Sequence, residues 1–439
     1  MQHGGVAVAL ALAACTGGGR QPVPEIVPIS PARLWSAEAL SDLRSAARGM
    51  PAHGLPEERA AIEELERLEP LSLREEGAAA DVDEKATALF DRLALALATG
   101  AVDPAAVDPE WSIPRASPPD LTALRQSVFT GARPSALLNG LSPANADYAA
   151  LVSELARLQA GGESSGQRRG DQVRVNLERW RWLPRGLPAR RVEVIVPFFE
   201  LRFRHDGDVT TRRVIVGARR TPTPTFSAAI ESVTLNPTWT PPTSIASAEL
   251  LPRFRRDPGA TAREGFEVLD HRGLAIDPST VDWTARPFPY VLRQRPGAGN
   301  ALGRVRFNMP NAYAVYLHDT PSRGLFQRSD RALSHGCIRV ADPVDLAADI
   351  GLDRATLEQV IEGGETRTEP LLEPLPIFVL YFSAVSDDAG AVRYAEDIYG
   401  RDEAVLRALQ RPQEPGARAG RLSEATPFAR CASDSTPRR

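Results

Sequence analysis

The chain has 439 residues, of which 43% are hydrophobic, 25% charged and 6% aromatic, and its formal net charge is -4. This composition excludes a disordered chain, and the length allows two or more domains. Residues 173–350 carry 26 Lys+Arg against 18 Asp+Glu. Such a basic stretch favours an anionic substrate, although a solvated arginine-rich surface fits equally well. Basic and aromatic residues are not clustered as in proteins that follow a nucleic-acid backbone, so no nucleic-acid partner is expected.

The amino terminus predicts export. The apolar run from Val6 to Ala14 is too short to span a bilayer and is typical of a signal peptide. LAAC, residues 12–15, resembles a bacterial lipobox, which implies acylation of Cys15. A plain secretory signal is the alternative, because no Lys or Arg precedes the run. We therefore expect a signal at 1–15 and a periplasmic protein, with a lipid tether to a membrane if Cys15 is acylated.

Export would permit disulfides, but only Cys337 and Cys431 remain after Cys15. Cys431 lies in the polar tail FARCASDSTPRR, where no ordered partner is expected. Cys337 is therefore predicted to keep its thiol.

Residues 20–160 predict an α-helical scaffold domain, because apolar residues recur there at three- and four-residue spacings. Ser142-Pro143, like Ser30-Pro31, is predicted to cap and begin a helix, and Gly100 and Gly161 to follow last turns. The Gly- and Ser-rich segment 161–172 predicts a flexible linker.

The period of the pattern changes to two after the linker, which predicts a mostly β domain over 173–385. Pro197, inside the strand-like run 191–204, predicts an edge strand or a bulge. Two short helices and a strand are expected after residue 340, and a helix with a polar tail over 386–439. The fold class is therefore α+β, with an all-α module followed by a mostly β domain.

The stretch RALSHGCIRV, residues 331–340, places a nucleophile beside candidate bases. A thiol attacks carbonyl carbon only as thiolate, so Cys337 would need a base or a positive neighbour. His318 ends an apolar alternating run 19 residues upstream. His335 lies two residues before Cys337, on the same face of an extended backbone. Either histidine could reach the sulfur.

Neighbouring residues fit acyl transfer. Gly336 allows close approach of the backbone, and amide groups around Gly336 and Cys337 could bind an oxyanion. Arg339 could bind a carboxylate and Tyr316 shares a face with His318, although structural roles fit both equally well. A metal site of His318, His335 and Cys337 lacks a fourth ligand, and a merely buried cysteine is the commonest alternative. A nucleophile is favoured over both.

The motifs HDTP at 318–321, Phe326 and RALSHGCIRV together resemble the active-site signature of the L,D-transpeptidase family, with its YkuD-type catalytic domain. Further similar segments are NLERWRWLP at 176–184, RVIVGARRTPTPTFS at 213–227, LNPTWTPPTSIA at 235–246 and RQRPGAGNALGRVRFNMPN at 293–311. The resemblance covers about residues 173–383 and is greatest to the large Gram-negative branch typified by YcbB.

The resemblance implies a mostly β catalytic domain that performs two-step acyl transfer on peptidoglycan stem peptides. Cys337 would attack the carbonyl after the meso-diaminopimelate of a donor tetrapeptide, with His318 as base and then acid. Terminal D-alanine would leave, and the amine of a second diaminopimelate would form the cross-link. Supporting roles would fall to Tyr316, Ser334, His335, Gly336 and Arg339. No metal or organic cofactor is implied, and carbapenems are expected to acylate the thiol.

One departure from the branch concerns the segment before residue 173, where 161–172 stands in place of the usual peptidoglycan-binding domain. Two other functions stay open on the sequence alone. Water at the thioester would give an L,D-carboxypeptidase or a hydrolase that releases wall-anchored lipoprotein. A catalytically idle cell-wall binding protein is the other alternative, against which the presence of both His318 and Cys337 argues.

Overall fold

The computed structural model describes residues 34–161 and 164–411, so Cys15 in the predicted signal and Cys431 in the predicted tail lie outside it. A helical domain precedes a mostly β domain, which confirms the predicted α+β class. Within these two ranges, no helix combines the length and the apolar character needed to cross a bilayer.

The helical domain is built around its longest helix. Its helices are α1 (Ala37–Gly49), α2 (Arg59–Leu68), α3 (Glu76–Thr99), α4 (Pro104–Val107), α5 (Leu121–Phe129), α6 (Pro134–Asn139), α7 (Ala146–Gly161) and α8 (Ser164–Trp182). Leu89, Phe90, Leu93 and Leu97 of α3 are buried at spacings of one helical turn. Burying each of them contributes about 1.5–3 kcal/mol. The apolar stripe read from the sequence therefore forms the core.

The predicted helix start at Ser142-Pro143 is wrong. The side chain of Asn145 accepts a hydrogen bond from the amide of Tyr148 at 2.7 Å, and α7 begins at Ala146. Asn and Ser cap helices about equally well, so Asn145 can cap this helix in place of Ser142. Ser30 lies outside the described residues, and α1 is capped by Ser36.

The expected linker at 161–172 is also corrected, because residues 164–172 form the first half of α8. Farther along α8, Val173, Leu177 and Trp182 pack into the core of the helical domain. Their burial outweighs the poor helix propensity of the preceding glycines and serines. The β domain consequently begins near residue 191 rather than at 173.

The β domain is a sheet that closes on itself. Its strands are β1 (Arg191–Ile195), β2 (Glu200–His205), β3 (Asp208–Gly217), β4 (Phe226–Leu235), β8 (Val305–Asn308), β9 (Leu317–His318), β10 (Ala332–Ser334), β11 (Ile338–Val340) and β12 (Arg367–Leu380). The numbers missing from this series belong to an insertion between β4 and β8, which is described below. The order is β10-β3-β11-β9-β8-β4-β12-β1-β2, and β2 also pairs with β3. Apolar side chains fill the interior, and β9 and β11, which carry His318 and Arg339, each pair with a strand on both sides.

Pro197 does not lie in an edge strand or a bulge. The run 191–204 contains two antiparallel strands, β1 and β2, and residues 196–198 between them form a short 3-10 turn. Proline favours a turn here because its ring fixes φ and it lacks a backbone N–H. Phe199 completes the reversal with a φ of 53°.

An insertion between β4 and β8, residues 236–304, has its own small core. It contains α9 (Thr243–Ile245), α10 (Leu251–Arg256), α11 (Ala260–Arg263), β5 (Phe266–Leu269), β6 (Ala275–Ile276) and β7 (Val291–Gln294). Phe254, Phe266 and Trp283 pack edge to face within it. The insertion is thus a compact body next to the sheet.

The carboxyl-terminal elements pack partly on the β domain and partly on the helical domain. They are α12 (Pro343–Asp349), α13 (Arg354–Gly363), β13 (Ala384–Ser386), β14 (Val392–Tyr394) and α14 (Asp402–Gln410). Of these, α12 and α13 pack on the β domain, and β13 and α14 pack on the helical domain. Val405 and Leu409 of α14 belong to the core of the helical domain. The fully buried guanidinium of Arg179 in α8 binds the carboxylate of Asp402 at 2.6 Å. Residues 386–411, which include the helix α14, therefore belong to the folded body, and the polar tail predicted after this helix lies outside the described residues.

Candidate active site

Three strands bring two arginines and a histidine into one row. His318 of β9 pairs with Arg306 of the antiparallel β8 and with Arg339 of the parallel β11. Residues directly opposite each other on neighbouring strands lie on the same face of a sheet. The strand pairing thus places His318 between two cations.

The imidazole of His318 is fixed in one orientation. Its Nδ1 lies 2.6 Å from the backbone oxygen of Asp319, which can only accept, so Nδ1 carries the proton and donates. The Asp319 carboxylate in turn accepts from the amide of Arg304 at 2.9 Å and from Arg323 at 3.0 Å. Nε2 is left with its lone pair, as a base requires.

Burial keeps His318 neutral. The side chain is 5% exposed, and burial together with the charges of Arg339 and Arg306 lowers its pKa from 6.5 to about 3, although the hydrogen bond to Asp319 opposes the shift. The residue is therefore available as a proton acceptor throughout the neutral range.

The turn that carries Cys337 is held by its own serine, Ser334. The Ser334 hydroxyl donates to the carbonyl of Cys337 at 2.5 Å and accepts from the amide of Gly336 at 3.1 Å. Gly336 has a φ of 115°, a conformation that other residues rarely adopt. The Gly336 amide is therefore engaged by Ser334.

One cavity of about 220 Å³ collects six of the seven predicted residues. Tyr316, His318, Ser334, His335, Cys337 and Arg339 line it. Gly336 is buried behind them. Cys337 is half-buried, and its sulfur lies 4.0 Å from the carbonyl oxygen of Ala314.

The cavity is positively charged near the sulfur. Burial lowers the pKa of the Arg339 guanidinium, and the nearby Cys337 opposes that shift. A neighbouring cation stabilises a thiolate and so favours its formation. Geometry and charge together suit a nucleophilic thiol paired with a neutral base.

Two family models match parts of this chain. The pattern of the YkuD family, described as an L,D-transpeptidase catalytic domain, matches residues 189–360, and a pattern described as a scaffold domain matches residues 31–155. The chain carries an L,D-transpeptidase catalytic domain. This domain contains β1–β4, the insertion and the whole row of site strands.

One relative is similar to this chain over about half of its length. A Haemophilus influenzae protein, whose name assigns it provisionally as an L,D-transpeptidase, is 34% identical over 241 residues, which are 53% of this chain and 48% of that protein. The chain thus matches about half the length of this relative.

Solved structures gave weaker similarity. An Enterococcus faecium L,D-transpeptidase is 11% identical, with a TM-score of 0.19 over 44% of this chain and 50% of that one. Mycobacterium tuberculosis L,D-transpeptidase 1 is 16% identical, with a TM-score of 0.17 over 44% and 61%. Scores this low do not establish a common fold.

The cavity of the L,D-transpeptidase domain is also lined by residues that sequence reasoning did not single out. Arg306 lines the cavity, and its guanidinium lies 5.4 Å from the centre of the Tyr316 ring. Trp239 and Glu249 of the insertion also line the cavity, and Glu249 contacts His335 at 2.7 Å. The cross-strand position of Arg306 could have been found only with the sheet register known.

The alternative of a metal site at Cys337 lacks a suitable set of ligands in the part of the chain that the structure describes. There, no three His, Cys, Asp or Glu side chains are grouped closely enough to hold an ion. His335 faces Glu249 instead of joining His318 in such a group.

The depressed pKa of His318 predicts a pH-dependent stability. Below pH 6.5 the unfolded chain takes up a proton at this histidine, whereas the folded chain does not until about pH 3. The free energy of unfolding should therefore fall as pH falls, by about 2 kcal/mol between pH 7 and pH 5 for this group alone. Urea unfolding at both pH values should show this extra fall in the wild type and not in His318→Gln. Equal falls would mean that the buried histidine is charged.

Proposed function

We propose that this protein is a peptidoglycan L,D-transpeptidase that forms cross-links between two diaminopimelate residues. The observation that carries the proposal is the shared cavity of Cys337 and the buried, neutral His318, beside two arginines. The catalytic-domain match supports the same reaction class. The large insertion and the helical domain would then serve this site.

In the first step, His318 Nε2 takes the proton of Cys337, and the sulfur attacks the carbonyl carbon after the donor diaminopimelate. The carbonyl electrons move to oxygen and return when the bond to D-alanine breaks. His318 gives the proton to the departing amine, which leaves a thioester on Cys337. The neutral state of His318 suits this role, because a base that is already protonated cannot accept.

In the second step, the side-chain amine of another diaminopimelate attacks the thioester. His318 accepts the amine proton and returns it to sulfur, so the thiol is restored and the new amide joins two stem peptides. Arg306 and Arg339 supply positive charge for the carboxylates of these substrates. Cys337 would thus act twice in each turnover.

Incubation with purified tetrapeptide muropeptides tests the proposal. Mass spectrometry should detect cross-linked dimers that have lost one D-alanine, and Cys337→Ala should form none. Tripeptides without dimers would instead assign the L,D-carboxypeptidase reaction. Unchanged tetrapeptides with a folded wild-type protein would leave only a binding role.

The proposal includes a periplasmic location and acylation of Cys15. Its support is the apolar run followed by LAAC in the sequence, since residues 1–33 lie outside the described structure. Cells fed radioactive palmitate should label the wild type and not Cys15→Ala, and the labelled protein should appear in the membrane fraction. Labelling of both proteins, or of neither, would contradict the tether.

A further inference from the structure

The loop between β3 and β4, residues 218–225, holds the turn that carries the nucleophile. The carbonyl of Ser334 accepts from the amide of Ala218 at 2.8 Å and from the hydroxyl of Thr221 at 3.0 Å. The hydroxyl of Thr223 donates to the carbonyl of Gly336 at 2.8 Å, in a fully buried contact. The loop therefore contacts the peptide group directly before Cys337.

The contact of Thr223 sets the direction of an amide. In a trans peptide the C=O and N–H groups point in opposite directions, because the unit is planar. With the Gly336 oxygen held towards Thr223, the N–H of Cys337 in the same peptide points away from it. Ser334 holds the following carbonyl, that of Cys337. Both peptide groups that flank the sulfur-bearing carbon are thus fixed.

Thr223 is itself held by β3 and by the carboxyl-terminal segment. Its hydroxyl accepts from the amide of Gly217 at 2.8 Å, and its own amide donates to the Tyr399 hydroxyl at 3.2 Å. The Tyr399 hydroxyl donates in turn to the Gly217 carbonyl at 2.6 Å. A Cβ at Gly217 would lie 2.2 Å from the Thr221 carbonyl oxygen, so only glycine allows this approach.

The helical domain forms hydrogen bonds with the same loop, residues 218–225. The amide of Thr225 donates to the carbonyl of Glu110 at 3.0 Å, and the amide of Ser112 donates to the Thr225 carbonyl at 2.8 Å. Arg401 joins both sides, because it donates to the Thr225 hydroxyl at 3.0 Å and lies 3.7 Å from the Asp108 carboxylate. Two parts of the chain outside the matched catalytic domain thus hold the loop that holds the turn.

We propose that Thr223 is a positioning residue that orients the Cys337 amide towards the developing oxyanion. The helical domain and residues 399–401 would affect the reaction indirectly, because their contacts hold the loop that contains Thr223. The inference rests on the proposed acyl transfer and goes beyond it, because it assigns a role to parts of the chain that do not line the cavity. An amide donor aimed at an oxyanion is worth about 10²–10³ in rate. A misdirected donor loses part of that.

Two reagents separate this role from a merely structural one. Acetyl transfer from p-nitrophenyl acetate to the Cys337 thiolate expels p-nitrophenolate through a tetrahedral oxyanion. Alkylation by iodoacetamide displaces iodide in one step and forms no oxyanion. Thr223→Val should slow acetylation about tenfold and change alkylation less than twofold, as followed on the Cys337 peptide by mass spectrometry. Thr223→Ser, which keeps the hydroxyl, should show both rates close to those of the wild type.

Thr221→Val is the matched control, because the same substitution in the same loop removes a hydroxyl bound to the Ser334 carbonyl instead. It should leave the ratio of the two rates unchanged. The inference would be overturned if Thr223→Val slowed both reactions equally or slowed neither of them. If Thr223→Val does not fold, Tyr399→Phe removes the hydroxyl that holds Thr223, and an unchanged ratio there would overturn it as well.

The outcome is independent of the natural substrate. Both reagents modify any accessible thiolate, so a wild type that reacts with them but leaves muropeptides unchanged would refute the proposed function alone. A wild type that cross-links muropeptides while Thr223→Val keeps the ratio would refute the positioning role alone.

Discussion

Replacing Cys337 with alanine is expected to lower turnover of tetrapeptide muropeptides at least about 10⁴-fold, because both chemical steps pass through its sulfur. The fold should persist. The turn is held by backbone and hydroxyl contacts of Ser334 and Thr223, which the substitution leaves in place. Cys337→Ser should be equally inactive, since an alcohol beside the same histidine is a much weaker nucleophile near neutral pH. Product analysis and thermal unfolding of each variant check both statements.

A carbapenem gives an independent measurement of the same residue. The strained ring should open on the thiolate and leave a long-lived thioester on Cys337. Intact-protein mass spectrometry should find the adduct in the wild type and in Cys431→Ser, and none in Cys337→Ala. Turnover by Cys337→Ala, or an adduct mapped to Cys431, would refute the assigned nucleophile.

His318→Ala is expected to lose two to four decades of kcat, against less than about tenfold for His335→Ala. His318 is buried, neutral and oriented with Nε2 unprotonated. His335 is partly exposed and directs its Nε2 to Glu249, so it shapes the wall of the cavity. Added imidazole should partly restore His318→Ala, because the deleted ring leaves space beside the sulfur.

Titration of the Cys337 thiolate by iodoacetamide decides between the two histidines. The acid limb of the alkylation rate should move in His318→Ala and stay in place in His335→Ala. If only His335→Ala loses the reactive thiolate, the roles of the two residues are reversed.

The candidate nucleophile could be picked out from the sequence because its signal is local, whereas the residues alone left both His318 and His335 open as its base and the resemblance to the family chose His318. Cys337 lies in a dense motif, and His318 ends a run in which apolar and polar residues alternate. The buried face of α3 could also be predicted, since the spacing of its apolar residues along a helix defines that face. The helical domain followed by a mostly β domain is confirmed for the same reason.

Tertiary packing decided what the sequence did not predict. Residues 164–172 are helical because the turns after them are buried, and no property of their own composition shows this. Arg306 enters the site through strand pairing with His318, and Glu249 through an insertion that folds back from β4. Thr223 is an ordinary threonine in sequence. Its importance depends on a carbonyl 113 residues away.

The closed order of the strands constrains how the chain is made. β12 lies between β1 and β4 and pairs Val192 with Ile377. While the chain is being synthesised from its amino terminus, β1 can pair with β2 at once, but almost the whole β domain must emerge before its second neighbour, β12, exists. Every residue of the cavity is already present by residue 339. The reactive thiol and its base are thus made before the ring that encloses them can close, which only the arrival of residues 367–380 permits.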